Sequence, residues 1–476
     1  MSDAAWLHAA TLAQLPPGIE RPRYDLARVG IGVVHLGPGA FHRAHQALYF
    51  DDALARDPRW GISAVSLKST ALRDALEPQD GLYTVAVLDE SIRHRVIGSL
   101  RERLVAAADR ERVFARLAAP TTHIVTLTIT EKGYCLGADG ALALNHPDIV
   151  NDLATPSQPV SAIGYLAEGL RRRRAAGLAP FTTISCDNLS DNGGKLGRAV
   201  IALAHARDPQ LARWIESEAV FPRTMVDSIV PASDAALKQR VALALGCVDR
   251  WPVQREAFAQ WVIEDRFCND VPDWAALGVT ISADVGAFER AKLRLLNGAH
   301  STLAYVGLLA GHATVADAMR DPALATFVER MMREDIQPAV APPPGFDVGS
   351  YIDAVLERFR NPAMQHALAQ IAWDGSQKLP FRILGTIRDA LAARRPLDRL
   401  CRPVAAWFHF VRRAQRDGRT LVDPLAEPLF DAAAGCNGDA AHDVARFVAL
   451  AAVFGADLSR DARFVTALRD AYAALA

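Results

Sequence analysis

Val29-Gly-Ile-Gly-Val-Val-His-Leu36, followed directly by Gly37-Pro-Gly39 and then by Ala40 to Arg56 without a glycine or proline, decides how this chain reads. The first run is apolar and rich in β-branched residues, which suits a buried strand, and the last has helical composition. A glycine turn joins them. Further strand-like runs at 62–67, 83–88, 123–129 and 182–186 alternate with helical stretches such as 113–117 and 162–176. Alternation of this kind predicts an α/β domain with a mainly parallel sheet. Beyond about residue 285 the strand signals thin out and helical patterns dominate, from 288–309 to the C-terminus. The expected division is therefore 1–285 as the α/β domain and 286–476 as a mostly α-helical domain. Within the latter, 337–345 with Pro338 and Pro342-Pro343-Pro344 reads as a surface loop.

Composition narrows the possible functions. The chain has 476 residues, more than one core usually serves, so two domains are expected. Lys plus Arg number 53 and Asp plus Glu 54, a formal charge of −1 that gives no field for capturing nucleic acid or an anionic membrane. The arginines at 171–174 lie in a helical pattern and read as a solvated face. With 50% hydrophobic and 22% charged residues the chain is globular rather than disordered. Its longest apolar stretch, 447–456, is about half of a membrane span, and no basic region followed by an apolar segment opens the chain. Six cysteines form no close pair, which fits neither a zinc knuckle nor a disulfide scaffold. A cytoplasmic protein is expected.

Several short motifs could carry chemistry. Glycine at 37 and 39 would let the backbone approach a pyrophosphate, with the N–H groups of Ala40 and Phe41 opening the following helix. His42 stands where the third glycine of a dinucleotide fingerprint belongs, and a plain structural turn fits the same residues. About thirty residues on, the second strand ends as Val65-Ser-Leu-Lys-Ser69 without the acid that would accept ribose hydroxyls. Lys68 there is either a solvated lysine or a partner for a 2′-phosphate, which would permit NADP. In Ala287-Phe-Glu-Arg-Ala-Lys-Leu-Arg-Leu-Leu-Asn-Gly-Ala-His300, Lys292, Asn297 and His300 span an arc of roughly 140° on a helix. An amine, an amide and an imidazole on one face could act on a carbonyl or alcohol. From these residues alone, a surface lysine, a helix-interrupting Asn-Gly and a partly buried histidine are the better account. Ser185-Cys-Asp-Asn-Leu189 ends a strand, where α/β sheets bind ligands, and is also ordinary turn chemistry. Asp374-Gly-Ser-Gln-Lys378 could hold an anion or close a helix. His42 and His45 have no identifiable third ligand, and H-E-x-x-H and G-x-S-x-G are absent, so no catalytic metal is expected.

Taken together, His35-Leu-Gly-Pro-Gly-Ala-Phe-His-Arg-Ala-His-Gln46, Thr130-Glu-Lys-Gly-Tyr134, Ser185-Cys-Asp-Asn188, Thr224-Met-Val-Asp227, Lys292 with Asn297 and His300, and Asp374-Gly-Ser-Gln-Lys378 resemble the polyol-specific long-chain dehydrogenases. This is the mannitol dehydrogenase and fructuronate reductase family, matched in order over nearly the whole chain. The resemblance implies an N-terminal Rossmann-type domain that binds NAD(P), a mostly helical C-terminal domain, and no zinc. It implies Lys292 as general acid/base, Asn188 and Asn297 as the oxyanion hole, and His300 as the group that orients the substrate. Lys378 and Asp227 would be further pocket residues. Glu289, one helical turn before Lys292, would pass the lysine's proton to water. Gln370-Ile-Ala-Trp-Asp-Gly-Ser-Gln-Lys378-Leu-Pro380 and Ser161-Ala-Ile-Gly-Tyr165 look closer to the fructuronate reductases, since a basic residue is expected at Gln370 in mannitol dehydrogenases. The implied activity is NAD(H)-dependent interconversion of a linear ketouronate and an aldonate, D-fructuronate and D-mannonate, with NADP left open. The alternatives are a mannitol 2-dehydrogenase-like enzyme acting on mannitol, arabinitol or sorbitol, and a catalytically silent nucleotide-binding regulator. Either enzyme would meet only small sugar acids or polyols, as a monomer or weak homo-oligomer.

Overall fold

Five of the six residues of Ile31–Leu36 (β1) are buried, as expected of a strand at the centre of a parallel sheet covered on both faces. β1 pairs in parallel with Gly61–Ser66 (β2) on one side and with Ile124–Leu127 (β6) on the other. In the computed structural model, which describes residues 5–89, 91–137, 139–343, 345–363 and 366–476, the chain forms two units, Met1–Gly286 and Ala287–Ala476.

The principal sheet of the first unit is completed by Leu100–Val105 (β5) beside β2 and Thr182–Ser185 (β7) beside β6, giving the order β5-β2-β1-β6-β7 with every pair parallel. By order of appearance these five strands run 3-2-1-4-5, the doubly wound arrangement of a Rossmann-like domain. The strand order reverses between β1 and β6, and that point locates the ligand crevice. Alternate side chains of β1 face opposite ways. Val33 packs with Phe50, Ile62 and Trp261, whereas Val34 packs with Phe114, Val125 and Leu166, so the sheet has a core on each face.

The expected parallel sheet is thus present, and two small mixed sheets accompany it. Tyr83–Leu88 (β3), fully buried, leaves the principal sheet to pair with Arg93–Ile97 (β4, antiparallel) and Val253–Glu256 (β9, parallel). Thr224–Asp227 (β8), Gln260–Glu264 (β10) and Thr280–Ser282 (β11) form the third sheet. An apolar run reports burial but not which sheet buries it, and β4 and β5 carry too many arginines to read as strands. The arginine run also differs from a solvated face. Arg173 is buried and donates to the carbonyls of Leu117, Ala119 and Thr122, while Arg171 and Arg172 pair with the buried Glu168.

Among its described residues the second unit is built of helices joined by loops, with no strand. Its helices Gly298–Leu309 and Asp398–Arg416 pack together, and wide i→i+5 turns occur at Leu293–Asn297, Met331–Ile336 and Pro380–Leu384. The Asn-Gly step does not interrupt its helix: Gly298 keeps helical angles of φ −64° and ψ −48°. After the short turn Gln337–Ala339 the chain runs irregularly to the helix Val348–Arg360, as its prolines require, with Pro344 outside the described residues. The apolar stretch 447–456 is broken, one helix ending at Val448 and the next carrying Gly455 at φ 69°. No helix among the described residues is long and apolar enough to cross a membrane.

Candidate functional site

In the first unit the crevice opens where β1 and β6 end. Gly37 has φ +85°, and a Cβ there would lie 2.4 Å from the Thr128 carbonyl oxygen, so only glycine fits. Its N–H donates to the Val65 carbonyl at 3.0 Å, and the Thr128 hydroxyl donates to its carbonyl at 2.6 Å. Gly39 faces open space, since a Cβ there would meet nothing nearer than 3.9 Å. The helix Ala40–Ala44 starts on Gly39 and continues past a kink at His45 as Gln46–Leu54. In front of the turn lies a cavity of about 780 Å³, lined among others by Gly37, Gly39, Ser66, Lys68, Ser69 and Thr130. A left-handed glycine, an open glycine and a cavity of this size at the reversal point fit a dinucleotide. Gly37 and Gly39 would admit its phosphates and Lys68 would face its adenosine end. Ala40 and Phe41 do not line the cavity, and the Phe41 ring stacks on His45 at 5.0 Å.

The third glycine's place is taken by a stack. His42 lies flat on His35 of β1, with ring centroids 3.3 Å apart and planes 16° from parallel. Helix and strand approach closely, which is what glycine at that position usually provides. His35 bonds to the hydroxyls of Thr126 and Thr128 at 2.7 and 2.9 Å, tying the stack to the residue that holds Gly37. Burial pushes His35 down to about 3. His42 is held well below the ordinary histidine range by burial, then by its neighbours His35, Arg43 and His45, and neither of its ring nitrogens has a hydrogen-bond partner. A buried, neutral, stacked ring is a packing element.

The next strand ends are knotted together by Asp187. Its carboxylate accepts the N–H groups of Ile129 and Thr130 at 3.1 and 2.8 Å and the Tyr134 hydroxyl at 2.7 Å. These bonds hold Thr130 at φ 64°, a conformation costing a non-glycine residue about 1–3 kcal/mol. Burial raises the Asp187 carboxyl, and its three donors oppose that. Asn188, the next residue, is exposed at the end of β7. Asn192, which the sequence did not single out, bonds to Ser185, Asp187 and Thr224 and so joins β7 to β8. Asp227 is buried at the last position of β8, opposite Gln260 of β10. The Ser161–Tyr165 motif is structural as well: Ser161 caps its helix at the Gly164 N–H, and Tyr165 donates to the Ala106 carbonyl.

One group of metal-type ligands was not evident from spacing. Cys135, His146 and Asp148 bring their ligand atoms within 4.8 Å of one another. Burial pushes the Cys135 thiol up to about 11, and His146 Nδ1 accepts the Asp148 N–H as a helix cap. A protonated thiol and an engaged imidazole nitrogen suit structure better than ligation.

In the second unit, Lys292 ends the helix Val285–Lys292, Asn297 ends the wide turn, and His300 lies in Gly298–Leu309. An i→i+5 turn advances each residue by less than 100°, so Asn297 and His300 lie closer to the azimuth of Lys292 than a regular helix would place them. Glu289 is one turn earlier on the same helix and partly exposed. Glycine at 298 has a packing cause: a Cβ there would lie 2.9 Å from the Arg382 carbonyl oxygen, so glycine permits two wide turns to pack together.

The His300 ring stacks on Phe359 at 5.2 Å and meets the edge of His366 at 4.8 Å, and its Nε2 is buried without a partner. Burial lowers its basicity most, followed by His366, Arg382, Arg358 and Lys378. Lys378 is half-buried and donates to the Ile371 carbonyl at 3.3 Å; burial, then Arg382, lowers its pKa, while Asp374 and Asp423 oppose that. Asp374 opens the helix Gly375–Leu379 in a left-handed conformation rather than closing one, because a side chain at 375 would strike Trp407 and Tyr305 at 2.5 Å. Gln370 is exposed. Arg358, His366 and Arg382 escaped sequence reasoning. For Arg382 a signal existed, since it stands four residues after Lys378.

Comparison with known proteins agrees with these features. Residues 31–276 match the Mannitol dehydrogenase Rossmann domain and residues 284–476 the Mannitol dehydrogenase C-terminal domain. The chain is 44% identical to D-mannonate oxidoreductase of Escherichia coli (strain K12) over 95% of each protein. It is 40% identical to mannitol 2-dehydrogenase of Neosartorya fischeri over 95% of this chain and 93% of that protein. Pseudomonas fluorescens mannitol 2-dehydrogenase, solved as a ternary complex with NAD and D-mannitol, superposes with a TM-score of 0.84 at 37% identity, covering 98% of this chain and 96% of that one. The sheet order, the glycine turn, the helix bearing Lys292, Asn297 and His300, and these matches over both units establish that the chain belongs to the mannitol dehydrogenase family.

Proposed function

We propose that this nicotinamide-dependent CH–OH dehydrogenase is a cytoplasmic NAD(H)-dependent reductase of a linear ketouronate, converting D-fructuronate to D-mannonate without a catalytic metal. The observation that supports the chemistry is the wide turn at Leu293–Asn297, whose smaller advance per residue sets Asn297 and His300 nearer the azimuth of Lys292 than a regular helix would. When bound, the cofactor supplies the hydride. Lys292 donates a proton from Nζ to the oxygen that becomes the alcohol, and in the oxidative direction its neutral amine takes that proton back. The side-chain amide of Asn297 donates to the same oxygen, stabilising its developing charge by roughly 2–4 kcal/mol when well aimed, and Asn188 is assigned the same oxyanion-hole role that the family resemblance implies for it. A neutral His300, with one ring N–H and one open lone pair, can accept from or donate to a substrate hydroxyl. Asp227 and Lys378 are assigned to substrate binding, and Glu289 to proton exchange between Lys292 and water.

The preference for a uronate over a neutral polyol is supported by the greater identity to the D-mannonate oxidoreductase and by the cations around His300. The relatives named mannitol 2-dehydrogenase support the second reading, a ketose/polyol enzyme. Initial rates with NADH and NADPH on D-fructuronate, D-tagaturonate, D-fructose and D-xylulose test the choice. D-Fructuronate is expected to exceed D-fructose in kcat/KM by orders of magnitude with NADH. A higher value for fructose or xylulose would select the polyol reading.

A further inference from the structure

The neighbourhood of His300 holds more positive charge than the proposed proton chemistry uses. Arg358, Lys378 and Arg382 act electrostatically on the buried His300 ring, as does His366, whose own basicity burial lowers. Asp374 and Asp423 bear on Lys378, but Asp423 is already engaged by the Ser376 N–H at 2.8 Å, the Ser376 hydroxyl at 2.5 Å and the Leu425 N–H at 2.8 Å. Arg382 is largely buried, and its guanidinium makes one side-chain hydrogen bond, to the Ser301 hydroxyl at 3.0 Å. Among the described residues no carboxylate forms an ion pair with it. A guanidinium carries five N–H donors, and burying it beside an ammonium with one neutral partner is unfavourable unless an anion arrives. Arg382 is also locked to the reacting helix at both ends. Its backbone carbonyl touches the Gly298 position, beside Asn297, and its side chain reaches the residue after His300.

We propose that Arg382, with Lys378 beside it, recognises the carboxylate of the substrate, and that this pair distinguishes a ketouronate from a neutral ketose. The planar guanidinium fork matches a carboxylate with two parallel N–H bonds, while the lysine adds a point charge. A linear ketouronate has its ketone and carboxylate at separate positions, and the chain supplies separate groups for each: Lys292, Asn297 and His300 for the carbonyl end, Arg382 and Lys378 for the acid. Phe359 and His366 close two sides of the His300 ring and restrict where the substrate can lie. This assignment rests on the ketouronate reading of the preceding section and adds the residue that makes the choice.

The test measures kcat/KM for D-fructuronate and D-fructose in the wild-type enzyme, in Arg382→Gln and in Arg382→Lys, with NADH affinity and thermal unfolding recorded for each. The ratio of the two kcat/KM values is expected to fall roughly 30-fold or more in Arg382→Gln, chiefly through KM for the uronate, and by a smaller factor in Arg382→Lys, which keeps the charge but loses the fork. If Arg382→Gln does not fold, a fall in the ratio for the lysine variant serves instead. A ratio unchanged within threefold in a folded variant overturns the proposal, because loss shared by both substrates means a structural arginine. A wild-type enzyme that prefers D-fructose fails the ketouronate reading itself, and a wild-type enzyme that prefers D-fructuronate with an unchanged ratio in the variants fails only the role of Arg382.

Discussion

Lowering the pH from 7.5 to 5.0 is expected to cost the first unit about 2 kcal/mol of stability through His35 and to act in the same direction through His42, whose share the substitution His42→Phe isolates. An unfolded chain titrates histidine near pH 6.5, whereas burial holds His35 down to about 3 in the fold. Between those values the unfolded chain takes up a proton that the folded one refuses, so stability is full above about pH 6.5 and is lost as the pH falls. The slope is about 1.4 kcal/mol per pH unit, which over roughly 1.5 units to pH 5.0 gives about 2 kcal/mol. His42 behaves alike because its ring is fully buried, unbonded at both nitrogens and flanked by His35, Arg43 and His45. Phenylalanine keeps a flat ring to lie on His35 and removes the titration. Urea unfolding of the full chain, followed by the fluorescence of the buried Trp60, Trp261 and Trp274, measures both proteins at both pH values. Any repacking cost of the larger ring is common to the two conditions. The difference between wild type and variant should therefore move in the variant's favour as the pH falls to 5.0. The same difference at both pH values would show that His42 is protonated in the fold or already neutral in the unfolded chain, and the reasoning would fail.

Gly37→Ala combines a left-handed backbone with a Cβ 2.4 Å from the Thr128 oxygen, so it should weaken NADH binding at least tenfold by calorimetry; an affinity within twofold of wild type would mean the turn does not serve the cofactor. Lys292→Ala should abolish turnover while NADH binding persists, and loss of both or of neither contradicts the acid/base assignment. Asp187→Asn places a donor where the carboxylate accepts three bonds, and should destabilise the first unit by about 2 kcal/mol in urea and raise the KM for cofactor together. Prolonged chelation should leave the rate unchanged, whereas activity lost to a chelator and restored by zinc would make Cys135, His146 and Asp148 a working centre.

What was legible in the sequence was what depends on neighbours along the chain. The strand, glycine turn and helix at 29–56 stood out because burial and chain reversal leave local traces in residue type. The same locality explains what was missed. β4 and β5 carry arginines that pair with acids far away in sequence, such as Arg95 with Asp51 and Arg103 with Glu77, and no local pattern announces such pairing. The role of His42 required knowing that its ring would land on His35 rather than point away from the strand. Thr130 is held at positive φ by a carboxylate 57 residues away.

The second unit shows a subtler limit. Reading 287–300 as a regular helix spread Lys292, Asn297 and His300 over a broad arc, and the Asn-Gly step argued for a break. Both inferences assumed that the helix answers only to its own residues. Residue 298 instead meets the Arg382 backbone, and the wide turn at Leu293–Asn297 packs against the wide turn at Pro380–Leu384. Each turn departs from α geometry where the other approaches, so the angle at which Asn297 and His300 are presented depends on a segment some 85 residues later. That segment carries Lys378 and Arg382. The groups assigned to the carbonyl and the groups assigned to the carboxylate are therefore set by one packing event. A substitution that restores regular helix at either turn should disturb rate and substrate choice together, whereas Arg382→Gln should disturb choice alone.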